Sequence, residues 1–156
     1  MLGKKVKLGR FIEELSVGET FLKEEKMEDR ELLLYLGLTD DANPLYIQHN
    51  YTAQTPVKKP IVPSIMLSGM ITSTISKHFP GPGSQILSQS LQFIHPVYHY
   101  ETIEISLKIL ELNQDSETIK IEVVANKDSC SVIKGEILVR APYRPKELGE
   151  YVFQNF

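Results

Sequence analysis

The run SIMLSGMITSTISKHF, residues 64–79, stands between Pro63 and the tetrad Pro80-Gly81-Pro82-Gly83. Pro63-Ser64 is a helix-start signal, and the Pro/Gly tetrad ends any helix that reaches it. Inside the run Leu67, Ile71, Ile75 and Phe79 recur at every fourth position, and Ile65, Met66 and Met70 widen that stripe. This spacing puts them on one face of an α-helix. The remaining positions are mostly Ser, Thr and Gly, with Lys77 as the charged exception. A helix so poor in charge is expected to be buried on most sides.

Downstream of the tetrad the pattern changes to a period of two. Leu87, Leu91 and Phe93 are read as one face of a strand over Gln85 to Phe93. Ile103, Ile105, Leu107 and Ile109 alternate with Thr102, Glu104, Ser106 and Lys108. Ile119, Ile121 and Val123 repeat the pattern, as do Ile133, Ile137 and Val139. Such alternation marks half-buried antiparallel strands, with turns predicted at residues 113–116 and 126–128. One buried helix followed by long meandering strands is an α+β plan, a sheet wrapped round a central helix.

Upstream, Ser16-Val17-Gly18-Glu19 reads as a turn before a short extended run, Thr20 to Lys26. Residues 28–38, EDRELLLYLGL, carry acids in the first turn, which suits the positive end of a helix dipole, and leucines then form an apolar face. Asn43-Pro44 is expected to stop that helix, because the residue before proline is pushed out of the helical region. One or two further helical turns are predicted over His49 to Thr55.

The composition fits one domain spanning residues 1–156, with a core at about 11–140 and a tail at 141–156. Hydrophobic residues are 42% of the chain, enough for a core without staples. Lys and Arg number 17 against 20 Asp and Glu, a net charge of −3. That balance excludes the broad basic surface of a non-specific nucleic-acid binder. The single Cys130 points to a reducing compartment and reads as a small core residue. The start is basic but lacks the apolar run and cleavage site of a signal peptide, and no window is long and apolar enough for a membrane span. A cytoplasmic protein is expected. Tyr143, Tyr151, Phe153 and Phe156 give the tail an aromatic character suited to packing on the domain or a partner subunit.

Nucleotide-binding glycine loops and paired Cys-x-x-Cys motifs are absent. His95 and His99 are four apart, but Pro96 lies between them at a strand end, so no metal site is expected. His78 sits at the C-terminus of the long helix, where an imidazole suits the dipole.

The chemistry-bearing stretch is Thr39-Asp40-Asp41-Ala42-Asn43-Pro44-Leu45-Tyr46. Taken alone it reads first as an Asx-type turn, with Asp and Asn side chains capping backbone groups. It also resembles the Ser-Gly-Asp-x-Asn-Pro-Leu-His signature of the MaoC-like dehydratases and (R)-specific enoyl-CoA hydratases. The resemblance continues in order through Phe11, Leu15-x-Val17-Gly18, Pro60-Ile61-Val62, Pro80-Gly81-x-Gly83-Ser84, Gln89-Ser90-Leu91-x-Phe93 and Pro96-Val97, covering roughly residues 11–140.

That resemblance implies the hotdog fold, a homodimer or higher homo-oligomer, and an acyl-CoA or acyl-carrier thioester as substrate or ligand, with no cofactor. It implies that Asp41 is the catalytic aspartate, with Asn43 beside it, and that amides at Ser64 and Ile65 face the thioester oxygen. Pro63, Gly69 and His49 complete the implied substrate-binding set. The chain departs from the family at several of these positions. Tyr46 stands where the family has its histidine, Asp40 replaces a glycine, and Pro63-Ser64 replaces His-Gly. Gly69 stands where serine is common, and Tyr100-Glu101 replaces Gly-Asp.

A phenol with a pKa near ~10 donates a hydrogen bond but is no base at neutral pH. Either His49 shares a helical face with Tyr46 and swings into the site, or Tyr46 serves Asp41 as a donor. Three readings follow: a hydratase or dehydratase of acyl thioesters, a non-catalytic acyl-CoA or acyl-carrier binding module, and a subunit that works beside a catalytic partner. Thioesterase activity is a lesser fourth.

Overall fold

β-Branched and leucine residues at every second position leave each strand one face that must be covered, and a single helix covers it. The computed structural model describes residues 7–145. After a 3-10 turn at Ile12–Glu14 come β1 (Thr20–Lys26), α1 (Asp29–Thr39) and two single-turn helices, α2 (Pro44–Ile47) and α3 (His49–Thr52). The long helix α4 (Ser64–His78) precedes β2 (Gln85–Phe93), β3 (Thr102–Asn113), β4 (Thr118–Lys127) and β5 (Cys130–Arg140). The strands form one antiparallel sheet in the order β1-β3-β4-β5-β2, with β1 and β2 at its edges.

The inward face pairs Leu107 with Val123 and Ile121 with Ile137. These residues join Ile71 and Ile75 of α4 in one buried core. Fully burying such a side chain contributes about 1.5–3 kcal/mol. Phe21 of β1 closes one end of the core, its ring stacked on Phe79 at 5.8 Å and on His78 at 5.5 Å. Gly135 lets β5 lie close to β2, since a Cβ there would sit 2.0 Å from the Ser90 carbonyl oxygen.

The structure corrects several expectations. Helix α1 stops at Asp40, which is left-handed (φ 55°) and sends its N–H back to the Leu36 carbonyl. Asn43-Pro44 does not end that helix; it starts α2, with Asn43 as N-cap and Pro44 in the first turn. A proline is tolerated there because a first-turn N–H has no helical acceptor to lose. Three leucines of α1 do not pack inward: Leu33, Leu34 and Leu38 are 68%, 63% and 87% exposed, while Leu32 and Leu36 are half-buried.

Helix α4 is buried along one stripe and not on most sides. Leu67, Ile71 and Ile75 are buried, whereas Ile65 is 56% exposed and Gly69 lies open. Leu87 leaves the face it was assigned to because a bulge between Ile86 and Ser88 shifts the register, so Ile86 pairs with the buried Val139 in its place. Cys130 is exposed at the β4–β5 hairpin and is not a core residue. Tyr143 is exposed, its ring 5.9 Å from the Arg140 guanidinium. Tyr151, Phe153 and Phe156 lie outside the described residues. Among those residues no helix is long and apolar enough to cross a membrane.

Candidate active site

The left-handed turn at Asp40 swings the chain off α1 and presents Asp41, half-buried, beneath the helix it has just left. The Tyr35 hydroxyl, on the preceding turns of α1, donates to Asp41 Oδ2 at 2.6 Å. Thr39 ties the same corner twice: its Oγ1 donates to the Tyr35 carbonyl (2.8 Å) and accepts from the Asp41 N–H (3.3 Å). Asn43 Oδ1 accepts from the Leu45 N–H at 3.0 Å, so this side chain holds the turn into α2. The Asx-type reading of the stretch is therefore correct for Asn43.

Tyr46 follows on α2 and is half-buried. Burial first, and then the nearby Asp41 charge, push its phenol above the ordinary tyrosine range, with the Asn43 side chain pulling the other way. Tyr35 is raised as well, chiefly because its hydroxyl donates to Asp41. Tyr35 thus bonds the carboxylate directly, whereas Tyr46 feels it as a nearby charge.

His49 does not join them. Gln48 (φ −108°, ψ 101°) breaks the chain between α2 and α3, so Tyr46 and His49 share no helical face. The imidazole is exposed at the first residue of α3.

The second part of the site is the start of α4. Pro63 is buried and acts as N-cap without a side-chain cap bond. Its carbonyl accepts from Met66 N–H (3.0 Å) and Leu67 N–H (3.3 Å). Ser64 and Ile65 are thereby the first-turn residues whose amides have no intrahelical acceptor, the arrangement that favours negative charge at a helix start. Both line a cleft of about 340 Å³ together with Ser68, Gln89, Leu91 and Phe93. Its polar floor is the Ser68 hydroxyl, which donates to Gln89 Oε1 at 2.9 Å.

On the opposite flank of α4 a more apolar groove of about 360 Å³ runs between α1 and α4. Tyr35, Leu34 and Leu38 form its α1 wall, and Met66, Gly69 and Met70 its α4 wall, with Met27 between. Gly69 thus lies on a groove wall, where an added Cβ would meet nothing within 4 Å. The Asp41–Tyr46 segment is fastened to the approach of α4 by the Ile61 N–H, which donates to the Leu45 carbonyl at 3.0 Å. The structure brings Asp41, Asn43 and Tyr46 together and leaves His49 apart.

Tyr35 and the α1 leucines were not among the candidates read from the sequence. The available signal was a lone polar-tipped aromatic in a leucine run, six residues before Asp41. Among the described residues no three His, Cys, Asp or Glu side chains cluster as metal ligands.

Comparison with known proteins agrees with this architecture. The family described as MaoC like domain matches residues 14–132. The chain is 26% identical over 132 residues to a 3-hydroxybutyryl-CoA dehydratase of Methylorubrum extorquens, covering 85% of this chain and 84% of that one. It is 25% identical over 129 residues to an (R)-specific enoyl-CoA hydratase of Aeromonas caviae, covering 82% and 96%. Among solved structures, the unliganded R-hydratase PhaJ1 of Pseudomonas aeruginosa superposes with a TM-score of 0.79 at 25% identity, covering 90% of this chain and 94% of that one. With most of its length inside the matched span, and with a helix wrapped by a five-stranded antiparallel sheet, this chain belongs to the MaoC-like domain family and has the hotdog fold.

Proposed function

We propose that this protein adds water to 2-enoyl thioesters of CoA or a carrier protein, or runs the reverse dehydration of 3-hydroxyacyl thioesters. The observation that carries the reading is the Asp41 carboxylate, held by Tyr35 on a segment docked to the approach of α4. Asp41 takes a proton from a bound water as the water oxygen bonds to C3. The C2–C3 π pair moves toward the thioester oxygen, where the amides of Ser64 and Ile65 offer positive charge, a preorganised form of stabilisation. The proton then passes from Asp41 to C2, so no second base is required. Tyr46 contributes a hydrogen-bond donor, and Asn43 holds the turn that carries both groups.

The acyl chain is assigned to the apolar groove beside Tyr35 and Gly69. The working unit is proposed to be a cytoplasmic homodimer, in which the free edge strand β2 pairs across a two-fold axis.

The test is a hydration assay with crotonyl-CoA and trans-2-octenoyl-CoA on wild type, Asp41→Asn and Tyr46→His. Turnover in wild type and a loss of about 10²-fold or more in Asp41→Asn support the reading. A second reading is favoured by Tyr46 itself, whose raised phenol takes up no proton at neutral pH: an acyl-thioester binding module without turnover. It expects a silent wild type, activity appearing in Tyr46→His, and a melting temperature raised by saturating octanoyl-CoA.

A further inference from the structure

We infer that Tyr35 is a positioning residue for Asp41, and that it ties the orientation of that carboxylate to the filling of the α1–α4 groove. The inference rests on the hydratase reading above and adds a residue and a link that the reading does not contain.

A carboxylate offers two equivalent oxygens, and rotation about its last bond exchanges them unless one is engaged. The Tyr35 hydroxyl engages Oδ2 at 2.6 Å. It is a donor on a rigid ring, set on an eleven-residue helix. The Thr39 side chain fixes the backbone of both partners, through the Tyr35 carbonyl and the Asp41 N–H. With Oδ2 engaged, Oδ1 is the oxygen left for the reacting water in the hydratase reading, and it keeps one direction. Holding a reacting group in its productive orientation is worth orders of magnitude in rate, and small misplacements are correspondingly costly.

The same side chain has a second contact surface. Its ring forms part of the groove wall opposite Met66, Gly69 and Met70. Donation to the carboxylate also raises the phenol above its ordinary range, so the hydroxyl remains a donor. An acyl chain in the groove therefore packs on the ring whose hydroxyl holds Asp41. Chain occupancy acts on the orientation of Asp41 through Tyr35, so it is read in kcat as well as in KM.

The experiment is steady-state kinetics on wild type, Tyr35→Phe, Asp41→Asn and the double variant, with crotonyl-CoA and trans-2-octenoyl-CoA, alongside melting temperatures. Tyr35→Phe keeps the ring in the groove and removes only the donor. The expected result is a fall in kcat of about tenfold on both substrates with KM within twofold. Any advantage of octenoyl-CoA in kcat should shrink in Tyr35→Phe. Adding Tyr35→Phe to Asp41→Asn should cost nothing further, because the residue acts through the carboxylate.

A kcat within twofold of wild type in Tyr35→Phe overturns the inference. So does an equal loss in the Asp41→Asn background, or a rise confined to KM. Equal silence of wild type and Asp41→Asn removes the hydratase reading, and this inference with it. A working wild type with an unaffected Tyr35→Phe removes this inference alone.

Discussion

The Leu45 carbonyl accepts the Ile61 N–H at 3.0 Å, and this one backbone bond joins the Asp41–Tyr46 segment to the chain that leads into α4. Val62, the next residue, donates to the Val97 carbonyl at 2.8 Å, so the approach to α4 is pinned on both sides. The two halves of the site owe their relative position to bonds made sixteen and thirty-five residues apart, not to any local turn.

Ile61→Pro removes the donor of the first bond. The lost bond costs about 1 kcal/mol, a fall of roughly 2–4 °C in melting temperature for a chain of this size. Turnover should fall more steeply, by about tenfold or more, because Asp41 would lose its register with Ser64 and Ile65. Calorimetry and the hydration assay on one preparation check this, and parallel small losses in both would contradict it.

Two glycines should respond in opposite directions. Gly69→Ala places its Cβ in open space on a helix face and should stabilise by about 0.5–1 kcal/mol. Gly69→Leu should narrow the groove, raising KM for octenoyl-CoA while leaving crotonyl-CoA nearly unchanged. Gly135→Ala, by contrast, drives a Cβ against the Ser90 carbonyl and the Leu91 Cα, and should cost about 1–3 kcal/mol as β2 is pushed off β5. Denaturant midpoints for the two alanine variants give the comparison.

His99 supplies an acid-labile element. Burial lowers its pKa below the ordinary 6.5, opposed by Asp29 and by the Ile61 carbonyl. Both ring nitrogens are buried without a hydrogen-bond partner among the described residues, so the carbonyl stops short of bonding geometry. The folded state holds the imidazole neutral while the unfolded chain takes a proton near ~6.5. This group's contribution is therefore complete above that pH and is lost as pH falls through the folded-state value. His99→Phe should flatten the decline in melting temperature between pH 7 and about 5; an unchanged slope would refute the assignment.

The pH–rate profile should report the missing histidine. Tyr46 and Tyr35 are both raised above the usual phenol range, by burial and by donation to Asp41 respectively. Each stays a donor until pH passes about 10, so no alkaline limb is expected below that. Tyr46→His should introduce a titration between about pH 6 and 7. A neutral-pH limb already present in wild type would show that another group titrates in the site.

Helix α4 and the strands were readable in the chain because their signal is local. Leu67, Ile71 and Ile75 share a face through the 3.6-residue repeat, and Ile119, Ile121 and Val123 through the two-residue pleat, whatever lies elsewhere. Asp41 and Asn43 were legible because a Pro-anchored polar turn is also a local feature, and the family resemblance gave that turn a chemistry. The boundary of α1 was not, since Asp40 adopts a left-handed cap that aspartate tolerates but does not announce.

The contacts that organise the site belong to a different level. His49 lies three residues from Tyr46 but across the break at Gln48, while Tyr35 lies on another helix and touches Asp41. Sequence spacing singled out His49 and passed over Tyr35. Leu34 and Leu38 of α1 look like core in their periodicity, yet they border a groove, because the sheet's single apolar face is already covered by α4. The chain's periodicities set which elements form and which face of each is apolar, as backbone geometry fixes both residue by residue. Which donor holds Asp41, and which apolar face stays open, depends on how rigid elements fit around one core, and close packing settles that for all of them together.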